Sequence, residues 1–411
     1  MENPLYFCMP SRVLLEMGAR RRVAPLCQSQ GWRHALLVTD AFFAGQTSVV
    51  RDLVGDLAAH GIACTVYAGG QPDPSTTLCD QATTEITAKA GSDGIDHLIA
   101  LGGGSNIDLA KAMSLTVRFR LPVASFVGHT RWPGLPLPLV AMPTTSGTGS
   151  EITPGSILVH PENSTKVAVM GNSLRPFMAI IDPELTMSCP PRVTADAGMD
   201  ALCHAIESWL TKDSADFPVG DDPDPGYSGR NRVTTLFARE SVGLCFTHLE
   251  RCYRTPEDTA ARTGMAYASL LAALSYGSAG LHAVHGLAYA LAGLTHASHG
   301  STNAVLLPYV MDALVPYRTD ELADIARLAG MTGHDETRLA RNACAHVRDL
   351  VTRLGIPGNL KDFGIGPGDL PRLVQDGLAV TRLAKACPAP SVDAIYADIV
   401  NNAFSGRLAG D

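Results

Sequence analysis

The sequence predicts an α/β domain over residues 1–187 followed by an all-helical domain over residues 188–411. Three observations carry that prediction. Short β-rich runs alternate with helical stretches in the first half only. Two of those runs open directly into loops of glycine and small hydroxyl residues. Beyond Pro190-Pro191, strand-like runs nearly vanish and Ala- and Leu-rich stretches continue to the end.

Taken in order, His34–Asp40 reads as a buried strand ending at a carboxylate, and Ala63–Tyr67 as the next. His97–Leu101 is a third, followed at once by Gly102-Gly103-Gly104-Ser105, and Leu137–Met142 a fourth. Helical patterns lie between the early ones, as in βαβ units, so a parallel, Rossmann-like sheet with helices on both faces is expected. Ile181–Leu185, followed by the proline pair, marks the junction. Within the second domain, 213–231 is crowded with Asp, Pro and Gly and reads as a surface insertion. Met265–Leu281 is uncharged over a near-membrane-span length. It is rich in Ala, Gly and Ser and runs into His282 and His285, so a buried helix is predicted.

The totals restrict function. A net charge of −8 without a basic cluster argues against nucleic acid as a partner. The ten cysteines are scattered with no CxxC pair, which points to a reducing cytoplasm rather than a disulfide framework or zinc module. Cys203 reads as a small buried hydrophobe. No basic stretch leading into an apolar run follows Met1-Glu2-Asn3-Pro4, so no secretory leader or membrane partner is expected.

Leu101–Lys111 reads as strand, glycine turn and helix start. Glycines let backbone approach a pyrophosphate, and a helix N-terminus offers free N–H groups. Ser105 as N-cap with Asp108 three residues on forms a capping-box-like start. Pro143–Glu151 supplies a second loop whose hydroxyls and amides suit phosphate or ribose. Asp40, ending the first strand, can accept from ribose hydroxyls and repel a 2′-phosphate, favouring NAD with NADP the alternative. A helix-capping role explains Asp40 equally well.

Asp200 and His204 are four residues apart and share one face of a predicted helix, with Thr194 a candidate N-cap. His285 and His299 lie fourteen apart, suiting a helix end and the loop after it. No Lys, Arg, Asp or Glu occurs from Gly264 to Leu294, so imidazoles there need partners. One carboxylate and three imidazoles at these spacings can close around one divalent metal, iron(II) favoured and zinc the alternative.

In this order the motifs resemble the iron-containing (group III) alcohol dehydrogenase family over nearly the whole chain. Gly102–Lys111, Pro143–Glu151, Asp182–Leu185, Gly198–Glu207 and His285 through Pro308 carry the likeness. The resemblance implies the dehydroquinate synthase-like, iron-alcohol-dehydrogenase fold, with a nucleotide domain, an all-α metal domain and the site in the cleft between them. It implies metal ligands at Asp200, His204, His285 and His299. It implies cofactor contacts at Asp40, Gly103, Gly104, Ser105, Asp108, Thr144, Thr145, Thr148, Lys166 and Leu185, and a homodimer. Maleylacetate reductases, relatives without the metal, lack the ligand set that is complete here.

Where many members carry a proton-relaying histidine four residues after the third ligand, this chain has Tyr289, with His282 one turn before His285. That pattern, with Pro225–Asn231, looks like the hydroxyacid–oxoacid transhydrogenase branch, which exchanges hydride between 4-hydroxybutyrate and 2-oxoglutarate through a retained nicotinamide. A phenol is a poor base at neutral pH, so Tyr289 is expected to orient substrate while His282 or a cofactor ribose carries the proton. Arg230 is the candidate cation for an anionic substrate. Three functions follow: a metal-dependent NAD(P)-linked alcohol dehydrogenase or aldehyde reductase acting on a small alcohol, aldehyde or hydroxy acid; a transhydrogenase that keeps its cofactor; or a non-catalytic nucleotide-binding protein.

Overall fold

The computed structural model describes residues 4–90, 94–128, 132–162 and 165–411. The reading of no leader falls largely on Met1–Asn3, outside the described residues. The chain forms two compact units: Cys8–Ser188, and Cys189–Asp411 together with the N-terminal segment through Phe7.

In the first unit, six parallel strands form one sheet: β1 (Arg12–Leu15), β2 (His34–Asp40), β3 (Ala63–Gly70), β4 (His97–Gly102), β5 (Leu139–Pro143) and, after an antiparallel hairpin of β6 (Gly155–Val159) and β7 (Lys166–Met170), β8 (Met178–Ile181). The order is β1-β8-β5-β4-β2-β3. Successive strand side chains face opposite ways, so one run feeds two cores. Leu36, Val38, Leu98 and Ala100 pack with Ile107 and Met113 on one face. Leu37, Ile99 and Val140 pack with Leu53 and Leu57 on the other. Burial on both faces explains why the central strands read as continuous apolar runs.

β3 runs past Tyr67 to Gly70, and β5 starts at Leu139 rather than Leu137. β1, β8 and the hairpin were not expected from the sequence. Four or five residues hold too few alternations to declare a strand, and pairing partners decide such short elements.

The second unit is helical. Helix Pro191–Leu210 carries Asp200 and His204, and Pro191 at its first position sets the start. Thr194 is therefore inside the helix and not its N-cap; its hydroxyl accepts from Arg262. From Gly264 onward helix Thr259–Ala279 is buried almost all round, which accounts for the lack of charge over that stretch. No helix among the described residues is long and apolar enough to cross a membrane.

The 213–231 segment is tied down rather than simply exposed. Ser214 and Arg230 pair through backbone at one end, and Phe217 and Ser228 are buried. The Ser214 hydroxyl also donates to the Pro4 carbonyl, fastening the N-terminal segment to this unit instead of the α/β unit expected for 1–187. At Gly300 the backbone of helix His299–Leu314 meets Pro191–Leu210, and a Cβ there would lie 2.2 Å from the Asp196 carbonyl oxygen.

Candidate active site

Helix periodicity sets the first two donors. Asp200 and His204 project from one face of Pro191–Leu210, both buried. His285 lies in the first turn of helix Ala283–Thr295, and His299 is the first residue of helix His299–Leu314 rather than part of a loop. The four side chains converge. Nε2 of His204 and of His285 each lie 3.6 Å from Asp200 Oδ1, and Nε2 of His299 lies 3.7 Å from it. Asp200, His204 and His285 offer donor atoms all within 4.8 Å of one another. These separations exceed hydrogen bonds. Bonds of about 2.1 Å to one shared ion place donors roughly 3.4 Å apart in a tetrahedral set, so the donor set fits a divalent metal.

Electrostatics agree. Burial would raise the Asp200 carboxyl, but the charges of His204, His285 and His299 hold it well below the usual carboxylate range. Burial opposes a charged His285, yet Glu207 and Asp200 push it up to about 10. Glu207, buried one turn beyond His204 on the same helix, accepts from Nδ1 of His285. It also accepts from the backbone N–H groups of His282 and Val284, 3.1 and 2.9 Å away, and so anchors the start of the His285 helix. Nε2 is thereby turned toward Asp200, the tautomer a metal ligand needs. Asn303 donates to Asp200 Oδ1 at 2.8 Å and lies beside Nε2 of both His285 and His299. His204 stacks on Tyr276 at 4.0 Å. Three donors are sealed, whereas the His299 side chain is 32% exposed, so the pocket opens on the His299 side.

Tyr289 stands at that opening, its ring 5.6 Å from His299 and stacked on it. His282 does not. It is fully buried against Glu207, neither ring nitrogen has a hydrogen-bond partner, and burial lowers its basicity. A proton relay needs continuous hydrogen bonds, so the geometry speaks against that role. Arg230 is also elsewhere engaged. It pairs with Asp213 and Glu321 and donates to the Trp209 carbonyl. Cys203 is buried and its thiol is held far above its usual range by burial, as an inert packing residue should be. None of the ten cysteines is paired.

In the α/β unit, Asp40 and Gly102 end the adjacent strands β2 and β4, where the strand order reverses. Helix Gly104–Phe119 takes Gly103 as N-cap, and no side chain caps it. Ser105 is therefore not the cap; its hydroxyl accepts from the Asp73 amide. Asp108 does not reach back to close a capping box. It is buried and accepts from the Ser150 hydroxyl and the Ile157 amide, bracing the second loop and the hairpin. An uncapped helix start behind a glycine turn suits a pyrophosphate. Gly102 has φ +150°, and a Cβ there would collide with Asn106, whose amide reaches Asp40 at 2.7 Å.

Asp40 also caps helix Ala41–Gln46 by accepting from the Phe42 and Phe43 amides, so the capping role read from the sequence is present. Thr145 lies against Gly103, and Thr148 against Gly104. The Thr144 amide bonds the Gly102 carbonyl. Lys166, at the start of β7, pairs with Asp73. Leu185 lines a cavity of about 450 Å³ with Phe43, Thr47 and Val49.

Sequence comparison decides the family. The model of the iron-containing alcohol dehydrogenases matches residues 10–183, and that of the family's C-terminal domain matches residues 227–403. The chain belongs to the iron-containing alcohol dehydrogenase family. It is 33% identical to long-chain-alcohol dehydrogenase 1 of Geobacillus thermodenitrificans over 95% of this chain and 94% of that one. It is 30% identical to the mitochondrial hydroxyacid-oxoacid transhydrogenase of Bos taurus over 91% of this chain and 84% of that one. A crystal structure of 1,3-propanediol oxidoreductase superposes with TM-score 0.88 at 29% identity, covering 98% and 100% of the two chains. Members of this family are oxidoreductases acting on CH–OH groups with NAD(H) and a divalent metal, typically iron.

Glu207, Asn303, Tyr227 and Arg382 received no role from the sequence. Glu207 and Asn303 stood inside recognised motifs, but nothing in spacing shows which atoms a second layer of side chains will orient. Arg382 belongs to no motif and reaches Tyr289 only through folding.

Proposed function

We propose that this family member is an NAD-linked, metal-dependent dehydrogenase or reductase of a small alcohol or aldehyde, with Asp200, His204, His285 and His299 as metal ligands. One observation carries the reading: three imidazole nitrogens converge on one buried carboxylate oxygen at 3.6–3.7 Å. When bound, the metal polarises the substrate oxygen and the nicotinamide accepts the hydride. The protein's residues supply orientation. Glu207 holds His285 in the ligating tautomer, and Asn303 holds Asp200. Tyr289, packed over His299, orients the substrate hydroxyl. Gly103, Gly104, Ser105, Thr144, Thr145 and Thr148 hold the pyrophosphate and nearby hydroxyls, with Asp40 on the ribose and Leu185 on the base. Asp108 and Lys166 support those loops. Iron(II) is the metal of this reading, and a cytoplasmic homodimer its setting.

A second reading is favoured by the 30% identity to the hydroxyacid-oxoacid transhydrogenase: the cofactor stays bound and an oxo acid takes the hydride. One experiment separates the two. Protein purified anaerobically and restored with iron(II) is given 4-hydroxybutyrate, once with NAD and once with 2-oxoglutarate and no added NAD. Product only with NAD supports the dehydrogenase, and product in the second mixture supports the transhydrogenase. No product from this or any neutral short alcohol, with metal bound, overturns both.

A further inference from the structure

Arg382 lies in the short helix Thr381–Ala384, its guanidinium carbon 5.8 Å from the centre of the Tyr289 ring. The phenol groups of Tyr289 and Tyr227 are the side chains that interact with its charge. Tyr227 comes from the 213–231 insertion, and its ring packs on Gly280, where a Cβ would lie 3.1 Å from the ring; Gly280 has φ +97° and permits that approach. Arg230 and Arg318 are neutralised by Asp213 and, for Arg230, by Glu321. Among the described residues no carboxylate pairs with Arg382. Two phenol oxygens carry four lone pairs and cannot exhaust the five N–H donors of a guanidinium. Burial works against the Arg382 charge and the two phenols work for it, the net direction being upward. Tyr289 also stacks on His299 at 5.6 Å, which links this group to the metal pocket.

We propose that Arg382, with Tyr227 and Tyr289, is a specificity-determining subsite for an anionic group at the tail of the substrate, a carboxylate or sulfonate. This deepens the dehydrogenase reading above and rests on it for the identity of the reacting end. A planar guanidinium pairs with such anions through two parallel hydrogen bonds, which an ammonium cannot match. Tyr289 is shared by the two, its ring 5.8 Å from the guanidinium carbon and 5.6 Å from the His299 ring. On this assignment the anion sits at the guanidinium and not at His299, remote from the reacting carbon, which selects an ω-hydroxy acid or its semialdehyde over a 2-hydroxy acid.

The test compares wild type with Arg382→Gln, metal restored in both. Steady-state kinetics are run on 4-hydroxybutyrate, 2-hydroxybutyrate and 1,4-butanediol. Calorimetric binding is measured in parallel for the unreactive pair butyrate and butyramide. Wild type is expected to prefer 4-hydroxybutyrate to both other alcohols, and butyrate to butyramide. In Arg382→Gln both acid-over-neutral preferences should fall on the order of 10- to 100-fold, through KM more than kcat. Arg382→Lys should recover only part of them. Equal preferences in wild type and Arg382→Gln overturn the subsite, as does wild-type indifference between butyrate and butyramide. A butyrate preference lost in the variant, with no alcohol oxidised by either protein, keeps the subsite and sinks the dehydrogenase reading instead. If Arg382→Gln does not fold, Tyr227→Phe takes its place: the same preference should fall severalfold, and no change overturns the proposal.

Discussion

Glu207 accepts a hydrogen bond from Nδ1 of His285, two fully buried groups 78 residues apart in the chain. The contact fixes which imidazole nitrogen faces Asp200. Glu207→Gln should therefore weaken metal binding on the order of 10- to 100-fold, since an amide has one acceptor oxygen and cannot accept from both His285 and the two backbone N–H groups. Titration of apo protein with zinc or cobalt measures this directly. Unchanged affinity would show that packing alone orients His285.

Gly300 follows His299, a proposed metal ligand, and packs against the Asp196 carbonyl oxygen. A Cβ at 2.2 Å from a backbone oxygen cannot be relieved by moving a side chain. Gly300→Ala should separate the two helices, destabilise the protein by about 1–3 kcal/mol and lower metal affinity by displacing His299 relative to Asp200. Denaturation of the apo protein together with a metal titration checks both effects.

Asp40 caps a helix and, on the reading proposed above, also binds the ribose. Asp40→Ala should cost about 1 kcal/mol of stability from the lost cap. It should also raise kcat/KM with NADP relative to NAD, because the charge that repels a 2′-phosphate is gone. Kinetics with both cofactors would show whether the capping role is its whole contribution.

Glu151 is buried at the end of the second loop, and burial pushes its carboxyl up to about 7. The folded protein then holds a proton that the unfolded chain has released. Its contribution to stability is present below the ordinary carboxylate range near pH 4.5 and is lost as pH rises toward about 7. Chemical denaturation of wild type and Glu151→Gln from pH 4.5 to 8 should give a difference that shifts toward the variant as pH rises. Lys111, buried nearby and pushed down to about 8 by desolvation, produces its slope only above that pH, so the two windows separate.

Local patterns made much of this protein legible. The Asp200–His204 pair needed only the pitch of a helix, the central strands needed only their doubly buried apolar runs, and the glycine turn after β4 announced a backbone that must pass close to something. The motifs around them resembled one family, and comparison assigned the chain to it. Misreadings came where distant partners decide. Ser105 looked like a cap until Asp73 claimed its hydroxyl, and His282 looked like a relay until folding sealed it against Glu207. Arg230 looked like a substrate cation until Asp213 and Glu321 neutralised it, while Arg382 went unnoticed because Tyr227 and Tyr289 are far from it in the chain. A sequence specifies periodicity, turn chemistry and ligand type, which depend on neighbours within a few residues. Which nitrogen faces a metal, and which cation stays without a carboxylate, depends on side chains brought together by packing. The donor set was therefore written in the sequence, and its orientation and surroundings only in the tertiary structure.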